Sequence, residues 1–592
     1  MKLRNKLFVA VCLQLSMLIP QLSTLDVPLS TLSAQTRSEH EMQAIAANHL
    51  YGSKVRGVKA QPPLPRQMFK TDMVAAYGDA YNGTVFVSRD AIFAPVLGWT
   101  DRPVTCADEN DGLQWWLETI TATMQQKKAD NVMATIQQAP QASDVQPLVT
   151  TRWAQETPYN DLCPVADSWT KRRAQTGCVA TAMAQIMNYH EHPAKGHGMG
   201  YYTLNNKKTN KRIEGEYDWQ NMRDTYSSSS TVKDETTEAV SVLMYDCGLA
   251  SGMAYAVQGS GATSPNASRG LARNLDYDSL ALHCGFRAFA NDDQWLATIY
   301  GELAQQRPVL YMSTDDTYGA HAFVIDGCRA ADGYLHVNWG WSGDADGWFD
   351  FFNLNPRTAY QQAYGMQGYD FSSDAMSQTA ITGIMPPDGE ERPFESYWCM
   401  DDEETISVAG DSIVLQLPTL VNYHFLEFTG LVGLCIENLA TGKSPIQPFY
   451  YSGWGEAPVP SLSGWNAMTI PYYKRVTDAL DDGDYHLYLM SWYTKDIGRF
   501  DPQYVRFPAR NDGKENYNIW HMTKKNGHLT ISKTDVPVKD GIRDIDCSPF
   551  FGDKATSGAA GQNMNHCYDL QGRRTSHAQL YIKNGRKYIS GK

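Results

Sequence analysis

At 592 residues the chain is several times the usual domain size of roughly 100 to 200 residues, which excludes a single minimal fold. Hydrophobic residues make up 42% and charged residues 20%, with 15 Trp, 33 Tyr and 19 Phe, so real cores are available and a wholly disordered chain is excluded. Against 51 basic residues stand 65 acidic ones, a net charge of −14 that repels phosphate backbones and excludes nucleic acid as a natural partner.

At the start, Lys2, Arg4 and Lys6 precede an apolar run from Leu7 to Ile19, interrupted only by Gln14 and Ser16. About 13 residues fall short of the roughly 20 that a spanning helix needs, so residues 1–34 read as a secretory signal peptide, cut near Ala34 in LSAQT. No later segment is apolar enough to span a bilayer. Residues 35–145 begin with a polar helical stretch, SEHEMQAIAANHLYG, and continue with the alternating GTVFVSRD. Trp115, Trp116, Leu117, Ile120 and Met124 then mark a second helix, which together predicts a small α+β unit. It ends in IQQAPQASDVQP, the composition of an exposed, protease-sensitive connector.

Residues 146–388 hold the densest Gly, aromatic and His features. In AQTGCVATAMAQIMNYHEHPAKG, residues 174–196, the positions Val179, Ala182, Met183, Ile186 and Met187 have the spacing of a core-facing helix that Pro193 ends. Cys178 opens that helix. Unpaired N–H groups and the dipole at a helix N-terminus favour an anion, so a thiolate is stabilised there, and Gly177 permits the turn that exposes it. A buried, inert cysteine at a helix start is the competing interpretation of this segment alone.

A base for such a thiol is offered by GAHAFVIDGCRAADGYLHVNWGWSG, residues 319–343. AHAFVID and YLHVNW read as strands of a hairpin centred near residue 330, which would set His321 roughly opposite Asn338 and Trp339. The side chain of Asn338 or the backbone carbonyl of Trp339 can then hold the imidazole in one tautomer, while Trp339 and Trp341 shield it from water. Upstream, Gln155 in RWAQETPYN can join the Cys178 N–H as a donor to an oxyanion. His190, His192 and His197 follow a helix end without HExxH or Cys-pair spacing, so no metal site is expected.

Residues 389–535 alternate strand-like runs, SIVLQLP, LVGLCIE and DYHLYLMSW, with Gly, Pro and Asn turns, the pattern of an antiparallel β-sandwich. Residues 536–592 form a tail of short strands and Gly-Arg and Asn-Gly turns, similar to the β-rich sorting ends of exported bacterial proteins.

TGCVATAMAQIMNYH, AHAFVIDG, HVNWGWSG and DGWFDFFNLNP together resemble the streptopain-like cysteine peptidases, secreted bacterial enzymes of the papain-like clan. VFVSRDAIFAPVLGW is similar to that family's inhibitory pro-domain, and the likeness covers about 350 of the 592 residues. The resemblance implies an α+β, papain-like peptidase of two subdomains, with an α+β pro-domain and a C-terminal β-sandwich. It implies Cys178 as nucleophile, His321 as base and Asn338 as its orienting partner, with support from Gln155, Trp339 and Trp341. Protein or peptide substrates, the chain's own pro-domain as inhibitor, and no metal or organic cofactor follow.

Two departures stand out. Gln155 precedes Cys178 by 23 residues, fewer than the family pattern, and Ala320 precedes His321 where the family's namesake has Gly. A Cβ at Ala320 narrows the subsite beside the scissile bond, and YAVQGSGATSPNAS resembles the family's cleft-lining loop, with Ser260 and Gly261 as its substrate contacts. Other classes compatible with the sequence are a surface or carbohydrate-binding protein with a vestigial peptidase unit, and a thiol transamidase. If the signal peptide takes Cys12 with it, ten of the 11 cysteines remain. A working Cys178 leaves nine, an odd number, so at least one further thiol is expected to be free.

Overall fold

The computed structural model describes residues 36–51, 64–79, 81–104, 111–129, 143–227, 233–315, 319–329, 333–350, 378–509 and 515–534. It also gives the backbone of short ladders at 567–568 with 574–575 and at 579–583 with 586–590. The expected signal peptide, residues 130–142 of the connector and the rest of the tail lie outside the described residues.

In the N-terminal unit, helix α1 (Glu39–Tyr51) covers an antiparallel meander of β1 (Arg66–Lys70), β2 (Val74–Gly78), β3 (Thr84–Ser88) and β4 (Val96–Thr100), and helix α2 (Asp111–Ala129) follows. Side chains on a strand point alternately to its two faces. Ala75, Tyr77, Val85 and Val87 accordingly pack on Met42, Ala46 and Leu50 of α1, while Val74, Ala76 and Phe86 face Leu113 and Trp116 of α2.

The central unit has a helical half and a sheet half. Helix α3 (Cys178–His190) leads into the hairpin β5 (Met199–Leu204) and β6 (Lys207–Arg212), then α4 (Glu235–Ser251), the short β7 (Ala254–Tyr255) and α5 (Ser264–Asn274). Asp234 starts α4 by accepting the Thr236 and Thr237 N–H groups, a capping box that fixes where this helix begins. The sheet half holds β8 (His283–Phe286), α6 (Asp292–Ala304), β9 (Val309–Asp315), β10 (Gly319–Cys328), β11 (Tyr334–Asn338), β12 (Gly347–Asp350) and β13 (Gln378–Thr382). Alternation again divides the core. Leu310, Met312, Ala322 and Val324 of β9 and β10 face α3, α4 and α5, whereas Val309, Tyr311, Phe323 and Ile325 face α6 and α2.

The two units share one sheet. β4 pairs with β12 through Gly98 with Phe349, Trp99 with Trp348 and Thr100 with Gly347, giving ten strands in the order β1-β2-β3-β4-β12-β11-β10-β9-β13-β8. The small α+β unit read from the sequence therefore does not close on itself. Its last strand satisfies the backbone groups along β12 that would otherwise form a bare edge. The connector's far end is also less exposed than expected, because Val145 is buried and its N–H and carbonyl both pair with Cys328.

The C-terminal unit is almost wholly β: β14 (Trp398–Met400), β15 (Thr405–Ala409), β16 (Ser412–Leu417), β17 (Leu420–Asn422), β18 (Gly430–Asn438), β19 (Ile446–Tyr451), β20 (Ser463–Trp465), β21 (Met468–Tyr472), β22 (Gly483–Tyr493), β23 (Gln503–Tyr504), β24 (Ile519–Lys525) and β25 (His528–Thr534). Val432, Leu434 and Ile436 of β18 share a core with Ile413 and Leu415 of β16, and Leu431 and Cys435 point the other way, toward Tyr488 and Met490. The strands form three antiparallel sheets, β14-β17-β20, β15-β16-β21 and β19-β18-β22-β24-β25 with β23 paired to β22, in keeping with the antiparallel β character expected from the alternation. Tyr397, Tyr423 and Phe425 carry this unit onto the face of the central core beside β8. The whole is α+β, with the helices concentrated in the first two units.

Candidate active site

Helix α3 starts at Cys178 and runs through a stretch, Val179 to Met187, that is buried on all sides. Its first turn is fixed from within, since Thr181 donates both its N–H and its hydroxyl to the Gly177 carbonyl, at 3.0 and 3.2 Å. Gly177 has φ 89°, and a Cβ there would lie 2.6 Å from the Met253 sulfur and 3.0 Å from the Ser260 carbonyl. Only glycine fits this turn without strain. The seven cysteines whose side chains are described form no disulfide, and among them Cys178 alone is partly exposed. Burial pushes the thiols of Cys163 and Cys284 up to about 12 and raises those of Cys247, Cys328 and Cys399 as well.

His321 lies on β10, across which α3 packs. The hairpin register differs from the expected one: Asn338 pairs with Val324 rather than lying opposite His321, because the ladder starts from Cys328 opposite Leu335, a centre later than expected, and the bulge between Ile325 and Gly327 recovers only one position. Beyond Asn338 the chain leaves the strand at Gly340, where φ is 76°, and this turn directs the Trp339 carbonyl to within 3.1 Å of His321 Nε2. A carbonyl can only accept, so Nε2 carries the proton in the neutral ring and Nδ1 is the unprotonated nitrogen. Trp341 stacks on the imidazole with ring centroids 6.2 Å apart and planes 18° from parallel. Trp339 is fully buried against Phe323 at 4.7 Å, so it supports the site from the core, and Trp341 supplies the cover.

The side chain of Asn338 does not reach the imidazole. Its Oδ1 accepts from Gln185 Nε2 at 3.0 Å and from the Gly340 N–H at 3.1 Å, and its Nδ2 donates to the Thr151 carbonyl at 2.8 Å. The expectation that Asn338 directly orients His321 is thus corrected to contact through the Trp339–Gly340 peptide. Gln185, a fully buried polar residue on α3, was not singled out in the sequence, although an amide inside an otherwise apolar helix is a visible signal. Asp346 accepts the Trp339 N–H at 2.9 Å, and its carbonyl accepts the Asp101 N–H at 2.8 Å. Burial pushes its carboxyl up to about 7, even though the Trp339 N–H and the nearby His336 charge favour the ionised form.

Gln155 is buried, and its carbonyl accepts the Thr176 N–H at 3.0 Å, which brings it beside the turn that precedes Cys178 despite the separation along the chain. The Ser260 hydroxyl closes its own loop, accepting the Ala256 N–H at 3.0 Å and donating to the Ala256 carbonyl at 3.1 Å. What Ser260 offers toward Gly177 is its backbone carbonyl rather than its hydroxyl. A Cβ at Gly261 would meet nothing within 4 Å, and Ala320 is exposed, so both border open space.

A second buried cluster lies behind the site. His336 Nδ1 is 2.7 Å from Asp326, and Nε2 is 3.6 Å from Asp101 of the N-terminal unit, an ion-pair distance rather than a hydrogen bond. Burial opposes its charge, but the two carboxylates outweigh that and raise the imidazole to about 10. The other oxygen of Asp326 accepts the Val149 N–H at 2.9 Å, so the pair also anchors the chain that leads to Gln155.

The model of the peptidase C10 family matches residues 153–349, the span that holds Cys178, His321 and the Trp339 turn. Streptopain of Streptococcus pyogenes is 34% identical over 334 residues, which are 52% of this chain and 80% of streptopain. The chain belongs to the peptidase C10 family. Membership makes it a cysteine-type endopeptidase acting on protein substrates. The thiol protease/hemagglutinin PrtT of Porphyromonas gingivalis is 32% identical over 328 residues, 52% of this chain but 36% of PrtT. A fragment of Prevotella intermedia prointerpain A is 29% identical, covering 55% of this chain and 99% of that fragment with a TM-score of 0.47. The C10 match ends at 349, ahead of the C-terminal β unit. Among the described residues no helix is long and apolar enough to cross a membrane.

Proposed function

We propose that this C10 peptidase is secreted and made as a latent precursor, with Cys178 as nucleophile and His321 as general base and acid. The supporting observation is the 3.1 Å contact of His321 Nε2 with the Trp339 carbonyl, on a strand that packs against the helix Cys178 opens. With Nε2 engaged, Nδ1 takes the thiol proton, the thiolate attacks the scissile carbonyl, and the imidazolium returns the proton to the leaving amine. The Cys178 N–H and the Gln155 amide hold the oxyanion, and water admitted after the amine departs releases the acyl group. Asn338, Trp339 and Trp341 orient and cover the imidazole, and Gly261, Ala320 and the Ser260 backbone border the bound substrate.

Residues 1–34 are assigned to a signal peptide, 35–145 to an inhibitory pro-domain with its activation linker, 146–388 to the peptidase, 389–535 to a β-sandwich and 536–592 to a sorting tail. Latency is supported by where the first unit touches the second. Beyond the β4–β12 ladder, the Asp101 N–H bonds the Asp346 carbonyl and Arg102 Nη1 reaches the Ser342 carbonyl at 3.3 Å, so the first unit holds the middle and the far end of the loop that carries Trp341. The test is to incubate the full chain under reducing conditions beside Cys178→Ala and follow both its own processing and casein cleavage. Processing and cleavage by the wild type alone is the expected result. Failure of the wild type to do either, even after an added protease removes residues up to the connector, would refute these assignments.

A further inference from the structure

Ten large apolar side chains are exposed among the described residues, and three of them, Leu162, Val165 and Trp169, fall within eight positions just ahead of the nucleophile. Trp169 is 92% exposed, and its indole meets no other ring among the described residues. Beside it Lys171 and Arg172 are exposed and form no ion pair among the described residues, although the charge of Arg172 is felt by Asp167, and together they make a cationic spot on a chain of net charge −14. Leaving an indole in water forgoes the burial that usually stabilises a fold, so the folded chain gains little from Trp169. An aromatic beside Arg is instead the composition of a protein-binding hot spot.

The patch is built to be rigid. Residues 165 and 173 pair as an antiparallel bridge, the Ala166 N–H bonds the Arg172 carbonyl at 2.9 Å, and Lys171 takes the left-handed turn with φ 60°. Asp167 holds the tip by accepting the Trp169 N–H at 2.8 Å and the Thr170 hydroxyl at 2.5 Å. A surface ordered in advance gives up less entropy on binding. Its return leg enters the site directly: the Gln175 N–H bonds the Ala256 carbonyl, Gln175 Oε1 accepts the Gly259 N–H at 3.1 Å, and the Thr176 N–H bonds the Gln155 carbonyl. Arg172 lies six positions before Cys178, which caps their distance at about 20 Å for an extended chain. An extended substrate covers that distance in about six residues as well.

We propose that the 162–173 hairpin is an accessory substrate-binding surface for a segment of the protein substrate about six residues from the scissile bond, where it holds an apolar side chain flanked by carboxylates. It rests on the peptidase activity and adds to it a preference away from the reacting bond. Charge fixes the choice of occupant, because Lys171 and Arg172 repel a basic segment and attract an acidic one. Trp169 supplies the apolar contact between them.

The experiment uses the activated full chain, its Trp169→Ala variant and its Lys171→Glu/Arg172→Glu variant. Each is given a short cleavable core peptide, and the same core extended by Glu-Phe-Glu or Lys-Ser-Lys six residues to either side. On one side Glu-Phe-Glu is expected to raise kcat/KM roughly fivefold over Lys-Ser-Lys, mostly through KM. Both variants should lose that gain, and the double variant should also lose its salt dependence, while all three cleave the bare core equally. No gain on either side, a gain that survives in both variants, or parallel losses on the bare core would overturn the proposal. Failure of the wild type to cleave the bare core would instead count against the catalytic assignments.

Discussion

The side-chain oxygen of Asn338 stands 3.1 Å from the amide nitrogen of Gly340, and the carbonyl of that same peptide group accepts from His321 Nε2 at 3.1 Å. Hydrogen bonds in line polarise one another, so an acceptor on the N–H end makes the carbonyl end a better acceptor and fixes its direction. Asn338→Ala is therefore expected to lower kcat by about ten- to a hundredfold with KM nearly unchanged. Asn338→Asp keeps the acceptor but faces the Thr151 carbonyl without a donor, at a cost of about 1 to 3 kcal/mol. It should be less stable than the wild type and yet more active than the alanine variant. Steady-state kinetics with thermal melts checks this, and an aspartate variant no better than alanine would remove the peptide link from the account.

Gly177→Ala should abolish activity and destabilise the chain by at least about 2 kcal/mol, through a left-handed φ and a Cβ 2.6 Å from the Met253 sulfur. Trimming Met253 to Ala relieves the clash but not the dihedral. The double variant is expected to recover only part of the loss in urea unfolding, and full recovery would show that crowding alone demands the glycine.

His336 offers a test in pH. Its folded value, about 10, lies above the ordinary 6.5, so the charged imidazole contributes stability in full below about 6.5 and loses it as pH rises toward 10. The melting temperature should fall between pH 7 and 10, and His336→Gln should flatten that slope while lowering stability at pH 7. An unchanged slope in the variant would place the alkaline loss elsewhere.

Thiol labelling separates Cys178 from the other cysteines. Short exposure of the native chain to iodoacetamide should modify Cys178 and spare Cys163, Cys247, Cys284, Cys328, Cys399 and Cys435, all of which are buried. Peptide mapping by mass spectrometry reads this directly. Comparable labelling of a buried cysteine would mean that its surroundings open on the labelling timescale.

Much of the site is legible in the sequence because its chemistry is local. The apolar spacing after Gly177 sets Cys178 at a helix start, and two strands around a short connector bring His321 near the Trp339 segment. Details that depend on distant partners were not legible. The ladder sets Leu335 opposite Cys328 and, past the bulge between Ile325 and Gly327, Asn338 opposite Val324, and nothing in a strand's own alternation announces where pairing starts or where an extra residue falls. Asp346 looks like a turn aspartate until Trp339 is seen to bond it, and the Asp101–His336 contact joins residues more than 200 positions apart. The sharing of one sheet by two units was equally hidden, because edge pairing is made by backbone groups that every residue carries.

If the first unit is removed as proposed, that shared sheet has a consequence for the enzyme. Release of β4 would uncover the outer side of β12, turning the middle of a ten-stranded sheet into a border where the Asp346 carbonyl and the N–H and carbonyl of Trp348 face solvent. A short strand beside Trp348 would then be available for any extended polypeptide to join by strand addition, whether a neighbouring molecule or an inhibitor shaped like the departed strand. Under the proposed maturation, the same cut that removes the first unit would create a docking edge.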